Sequence, residues 1–412
     1  MRMKDFKTVK IICEGNSKIS SNVVDEFLIN YAADRNNLEQ EMNVSFAAYR
    51  HITQKFQKEW VNMLKSQYIA HKIFKEGGLI KTFLKHPALN KLKSDERKYL
   101  EFQTENPWRF SFSVIKDNPF ENFYTMEDVF REEEFLIYSP GMTVTLKTQP
   151  VILWFNMIAF NGSCWQSYGP IGAYRSFEPD DIFFFATELR PDIENEEELL
   201  ENLENNPLPY MMLLCGANYP LIANKKDQML NVMAEYDIEN LDTKSLTAGF
   251  KTEYNKDIYR LSLKKWCKHP HFAQAYYDEK NKKITLSSMT DRGFKALVKG
   301  LNEYGYAFDS DPFVRVNLTM VKTASDILKR KIDIIKYDHL FSKESSPAVK
   351  EGIEKLNMFL NLAMPEINAG LQPDIDALAA KAGIDSDTAK ELIAQIDKKL
   401  KGNDSHSKRK KK

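Results

Sequence analysis

At Pro107 the chain changes character within a few residues, and this switch constrains the fold more than any other feature. From Asn22 to about Glu105, Lys, Glu, Gln, Leu and Ala dominate, and Phe56, Trp60, Met63, Leu64 and Tyr68 recur at helical i, i+4, i+7, i+8 spacing. After Pro107 come short aromatic and β-branched runs at 108–115, 135–138, 151–160 and 181–187, separated by turn signals such as Asp117-Asn118-Pro119 and Ser139-Pro140-Gly141. The two periodicities do not interchange, so a helical domain over 1–106 precedes a small antiparallel β module, bent or closed into a barrel, over 107–190. Asn161-Gly162 is its strongest hairpin signal, because a two-residue type I′ turn requires positive φ at both central positions.

Seven acidic residues and no basic one lie between Asp192 and Asn206, which reads as a charged linker helix over 191–206. From 207 to 342, strands at 259–263, 272–276, 283–288 and 314–318 alternate with a helix on which Phe294, Leu297, Val298 and Leu301 share a face, capped by Thr290. That pattern predicts an α+β domain with helices on one sheet face. Residues 343–400 return to helical spacing and end in a helical pair over 375–400, and 401–412 form a disordered basic tail. The fold class is therefore α+β, with a helical N-terminal domain, a small antiparallel β module, an α+β domain and a helical C-terminal segment.

Lys plus Arg equals Asp plus Glu at 58 each, so no global field draws the chain toward nucleic acid or an anionic membrane. Cys13, Cys164, Cys215 and Cys267 form no C-x-x-C pair and read as thiols of a reducing compartment. The N-terminus lacks the apolar core of a signal peptide, and the apolar stretch 151–160 is too short to cross a bilayer. A cytoplasmic protein without a membrane partner is expected.

Chemistry-bearing candidates are sparse. Cys267, His269 and His271 alternate in WCKHPHF, and on a strand they would share one face, where a thiolate and two imidazoles would take zinc. Against this, Pro270 disrupts regular pairing and no completing ligand is close in sequence, so an exposed loop is the stronger reading and no cofactor is predicted. Paired carboxylates at Glu127-Asp128, Asp180-Asp181 and Asp309/Asp311 are too common to select one for acid–base work. The central aromatics lack the flanking cations of a single-strand platform, since Arg175 is the only basic residue between Val151 and Glu188. Lys408, Arg409, Lys410, Lys411 and Lys412 close a segment, Lys398 to Lys412, that carries eight positive charges against one Asp, enough to engage phosphates with a steep salt dependence. The helical pair has an Ala-x-x-x-Gly turn, but Asp385, Asp387 and Glu391 crowd the helix that would read bases.

The stretch FSVIKDNPFENFYTMEDVFREEEFLIYSPGM resembles a segment of uncharacterised bacterial cytoplasmic proteins, some with a SEC-C zinc-binding tail, and ITLSSMTDRGFKALVKGLNEYG resembles their strand–helix unit. These motifs cover about fifty residues, and the Cys-rich tail is replaced here by HSKRKKK, so the resemblance carries over no functional residue. It implies a bacterial cytoplasmic protein. With no catalytic motif standing out, the leading expectation is a non-enzymatic, multidomain interaction or adaptor protein with a protein partner. The alternatives are a nucleic-acid-associated protein using the basic tail, and a hydrolase or metalloprotein with a site at Cys267, His269 and His271.

Overall fold

The helix Phe6–Ser20 starts at Asp5, whose carboxylate accepts the N–H groups of Lys7 and Thr8 that have no partner within the helix. It runs directly into a π-helix, Ser21–Ile29, and then into Asn30–Arg35. Helices Leu38–Ala48, Lys58–Phe74 and Ser94–Gln103 complete the expected helical N-terminus. On Lys58–Phe74 the buried face is rotated from the expected one: Leu64 and Tyr68 are buried, but Trp60 and Met63 are exposed, and Gln67, Ile69, Ile73 and Phe74 take the inner positions. The computed structural model describes residues 5–217, 222–224, 227–341, 347–368 and 372–394.

Five strands close a barrel: β1 (Arg109–Phe120), β2 (Phe123–Asp128), β3 (Glu133–Tyr138), β4 (Leu153–Phe160) and β5 (Trp165–Tyr174), in the order β1-β2-β3-β5-β4. All neighbours are antiparallel except β3 and β5, which meet in parallel through Ile137↔Trp165 and Tyr138↔Gln166. Alternation along the strands builds two cores. Trp154 and Ile158 join Tyr124, Met126, Phe135 and Ile137 in one cluster, while Phe110, Phe112, Phe155 and Met157 belong to the core shared with the N-terminal helices. Pro107 is thus a boundary of secondary structure and not of the core.

The β4–β5 hairpin forms where expected, with a different turn. Only Gly162 has positive φ, and the Asn161 side-chain carbonyl accepts the N–H groups of Ser163 and Cys164. Residues 181–187, expected as a strand, lie in the helix Pro179–Leu189, because Pro179 at its first turn and the reciprocal capping of Glu178 and Asp181 nucleate a helix there. The acidic stretch is a helix, Glu196–Asn205, but not a linker: Leu199 and Leu203 are fully buried and Glu204 is tied to the barrel.

A short pair, β6 (Ala223–Asn224) and β7 (Asp227–Gln228), precedes a six-stranded antiparallel sheet. Its strands are β8 (Leu230–Asp237), β9 (Phe250–Asn255), β10 (Ile258–Leu263), β11 (Gln274–Asp278), β12 (Lys283–Ser288) and β13 (Val314–Asn317), in the order β13-β8-β12-β11-β10-β9. The helix Asp291–Asn302, capped by Thr290, lays Phe294, Leu297, Val298 and Leu301 on one face, as the sequence predicts. From β13 the helix Leu318–Leu328 returns Met320, Ala324 and Ile327 to the first core.

The chain to Tyr337 forms one compact unit and the chain from Asp338 another. In the second, helices Pro347–Asn368, Ile375–Ala382 and 386–394 bury Phe359, Ala363, Ala379, Ala382, Ala389 and Ile393 against one another. The helical pair turns at Gly383, whose φ of +69° suits glycine. Among the described residues no helix is long and apolar enough to cross a membrane.

Candidate functional site

The site is built where the first helix crosses the barrel. A groove of about 470 Å³ opens between the end of Phe6–Ser20, the π-helix, the helix Lys58–Phe74 and strand β5. Nine of its lining residues carry an aliphatic hydroxyl or an amide, Asn16, Ser17, Ser20, Ser21, Asn62, Ser66, Asn161, Gln166 and Ser167, and Tyr99, Trp108, Phe160 and Tyr168 add aromatic surfaces. Asp25 is the one charged side chain among its lining residues. A second cavity of about 460 Å³ shares Ser17, Gln166, Ser167 and Gly169 and continues toward Tyr138, Ser139 and the start of the helix Pro140–Thr148.

The π-helix matters to this geometry. Its Val23, Val24, Leu28 and Ile29 enter the core while Ser21 and Asp25 turn to the groove, and such wide turns recur at functional positions. The Tyr168 hydroxyl donates to the Asp25 carboxylate. Burial raises the Asp25 carboxyl above its ordinary range, and the Tyr168 hydrogen bond pulls it partly back. Burial pushes the Tyr99 hydroxyl up to about 12, so both tyrosines stay neutral donors at neutral pH.

Hydrogen bonds fix the groove floor. Gln67 donates its amide to the Tyr168 and Pro170 carbonyls at 2.8 and 3.1 Å, holding β5 where Gly169 takes a φ of +74°. Gln166 donates to the Cys13 carbonyl at 3.0 Å and to Ser17 Oγ at 3.1 Å, and accepts from Asn161 at 2.8 Å. Beneath this layer Cys13 and Cys164 bring their sulfurs to 3.4 Å, and Asn161 Nδ2 donates to Cys13 Sγ at 3.2 Å.

The metal-ligand and phosphate-binding candidates named from sequence are not among the lining residues of this groove. Cys267 donates its thiol to the Lys264 carbonyl, His269 Nδ1 pairs with Asn224, and His271 Nδ1 lies 2.6 Å from Thr290 Oγ1. The three engage separate partners, and among the described residues no group of three or more His, Cys, Asp or Glu is arranged to hold a metal ion. Zinc ligation by Cys267, His269 and His271 therefore has no geometric basis here. Lys408, Arg409, Lys410, Lys411 and Lys412 lie outside the described residues. Of the central aromatics, Trp154, Phe155, Tyr174 and Phe177 are core, whereas Tyr168 and Phe160 reach the groove.

A buried polar network supports the barrel from the other side. His71, fully buried, pairs through Nε2 with Glu204 at 2.7 Å, and Glu204 also accepts the Phe110 N–H at 3.0 Å and Arg131 at 3.4 Å. Burial lowers the His71 pKa, so the neutral ring donates from Nε2. Sequence reasoning missed the groove because its residues come from separate segments and none belongs to a catalytic motif; the run Asn16-Ser17-Lys18-Ile19-Ser20-Ser21-Asn22 inside a helical stretch was the available signal. Compared with protein-family models, curated proteins and solved structures, the chain matches none.

Proposed function

We propose that this is a non-enzymatic binding protein whose groove between the first helix and β5 holds a neutral, hydroxyl-rich ligand with the chemistry of a saccharide. The observation that carries this reading is the lining. Nine side chains there are uncharged hydroxyls or amides, which both donate and accept, as sugar hydroxyls require. Tyr99, Phe160 and Tyr168 supply apolar surface for the carbon faces of such a ligand. A single carboxylate with no cation among the lining side chains disfavours phosphate, which needs donors or positive charge.

Calorimetric titration with a panel of neutral oligosaccharides tests the reading, using the full chain and Ser66→Trp, which fills the groove from a half-buried helix position. The expected result is saturable binding by wild type that weakens at least tenfold in the filled variant. Absence of saturable binding across the panel, or equal binding by both proteins, overturns it.

A further inference from the structure

Cys13 lies on the first helix and Cys164 at the end of the β4–β5 turn, 151 residues apart in sequence, yet their sulfurs sit 3.4 Å from each other. Both are thiols and both are buried, at 0% and 2% exposure. We propose that Cys13 and Cys164 are a redox modification site that closes reversibly to a disulfide on reaction with a hydroperoxide. This is independent of what the groove binds.

Three observations carry it. The sulfurs need to approach by only about 1.4 Å to reach bonding distance, since a disulfide bond is about 2.05 Å long. The Cys164 thiol and, less strongly, the Asn161 amide that points at Cys13 Sγ favour the Cys13 thiolate and lower its pKa against the opposing effect of burial. Cys215 marks the contrast: burial pushes its thiol up to about 12. The turn that carries Cys164 is at the surface, with Gly162 exposed and Asn161 and Ser163 half-buried, so local opening of four residues admits a small oxidant.

The chemistry balances with a hydroperoxide as the two-electron oxidant. The Cys13 thiolate attacks the terminal peroxide oxygen, the O–O bond breaks to leave a sulfenic acid, and the departing alkoxide, or hydroxide from hydrogen peroxide, takes up the proton that the thiol released and leaves as an alcohol or water. The Cys164 sulfur then attacks the Cys13 sulfur. The S–S bond forms, the S–O bond breaks, and hydroxide leaves with the Cys164 proton as water. A dithiol reductant reverses the step by exchange. The bond would fasten the helix to the barrel one turn before Ser17, beside the shared floor of both cavities.

The experiment treats reduced full-length protein with hydrogen peroxide near stoichiometry, quenches in acid, alkylates after unfolding and maps peptides without reduction. The expected product is a Cys13 peptide linked to a Cys164 peptide, formed in the folded chain and lost when oxidation is done in urea. Partly exposed Cys267 serves as the internal reference. Recovery of Cys13 and Cys164 as alkylated thiols at a dose that oxidises Cys267 overturns the proposal. So does separate oxidation of the two sulfurs without the link. In Cys164→Ser the proposal requires Cys13 to stop at the sulfenic acid, trapped by dimedone; an unreactive Cys13 there also counts against it.

Discussion

The Asp181 carboxylate accepts the Asn317 N–H at 2.7 Å across 136 positions of sequence, joining the helix after the barrel to the last strand of the sheet. Its other oxygen accepts the Glu178 N–H at 2.8 Å. Burial pushes this carboxyl up to about 7 from its ordinary 3.8. Because the folded-state value is raised, the group's stabilising contribution is complete below the ordinary pKa and is lost as pH rises through about 7. Over that window the change is at most about 4 kcal/mol, from roughly 1.4 kcal/mol per pKa unit. Urea unfolding of wild type and Asp181→Asn should show a stability gap that narrows between acidic and neutral pH; a gap that widens contradicts the assignment.

Glu204 has three partners on three other segments, the helix Lys58–Phe74, β1 and the β2–β3 turn, so its loss takes an acceptor from each at once. Glu204→Ala should cost about 1–3 kcal/mol, the scale for leaving buried hydrogen-bonding groups unsatisfied. The buried His71 ring, the Phe110 N–H and the Arg131 guanidinium each lose an acceptor. Chemical denaturation measures the loss, and a change near zero would mean that solvent replaces the carboxylate at no cost.

Gln67 and Gly169 should behave as a coupled pair. A Cβ at Gly169 would sit 2.9 Å from Gln67 Nε2 and would also be strained by the positive φ. Gln67→Ala should cost about 1–3 kcal/mol by stranding the Tyr168 and Pro170 carbonyls. Gly169→Ala should cost less in the Gln67→Ala background than in wild type, because the contact is gone. Strict additivity in that double-mutant cycle would refute the contact.

Asp25 offers a local titration test. The Tyr168 hydroxyl lowers the carboxyl pKa while burial raises it. Tyr168→Phe should therefore move Asp25 upward, as followed by carbon-detected NMR on Asp-labelled protein with Asp25→Asn for assignment. A downward move would show that the ring controls burial of the carboxyl more than its hydrogen bonding.

The sequence made element types legible where the periodicity was sustained. The helix over Asp291–Asn302 and its Thr290 cap follow directly from an amphipathic repeat after a strand. Where apolar runs were short, period alone could not decide: Ile182-Phe183-Phe184-Phe185 is as apolar as a buried strand, and only Pro179 with its following acids pointed to a helix start. β5 was hidden for the opposite reason. Gly169-Pro170 reads as a turn signal, yet it sits within a strand that bends around the barrel. The candidate site was the least legible part, since Cys13, Asp25, Ser66 and Gln166 become neighbours of one region only after the barrel closes against the helices. Cysteine spacing gave no hint of the thiol pair, because proximity across 151 residues leaves no local pattern.

The Ser21–Ile29 π-helix has a bearing on how this chain tolerates insertions and deletions. A π-turn holds one residue more than an α-turn, so the backbone could absorb a one-residue deletion there by tightening into a regular helix. A deletion absorbed in that way leaves the flanking helices in phase, because the turn closes with one residue fewer. The same deletion near the end of Phe6–Ser20, a regular helix with no spare residue, would swing the preceding turns by about 100°, given 3.6 residues per turn, and part Cys13 from Cys164 and Ser17 from Gln166. The wide helix thus acts as a phase buffer, a place where the residue count can change while the same side of the first helix still meets the barrel.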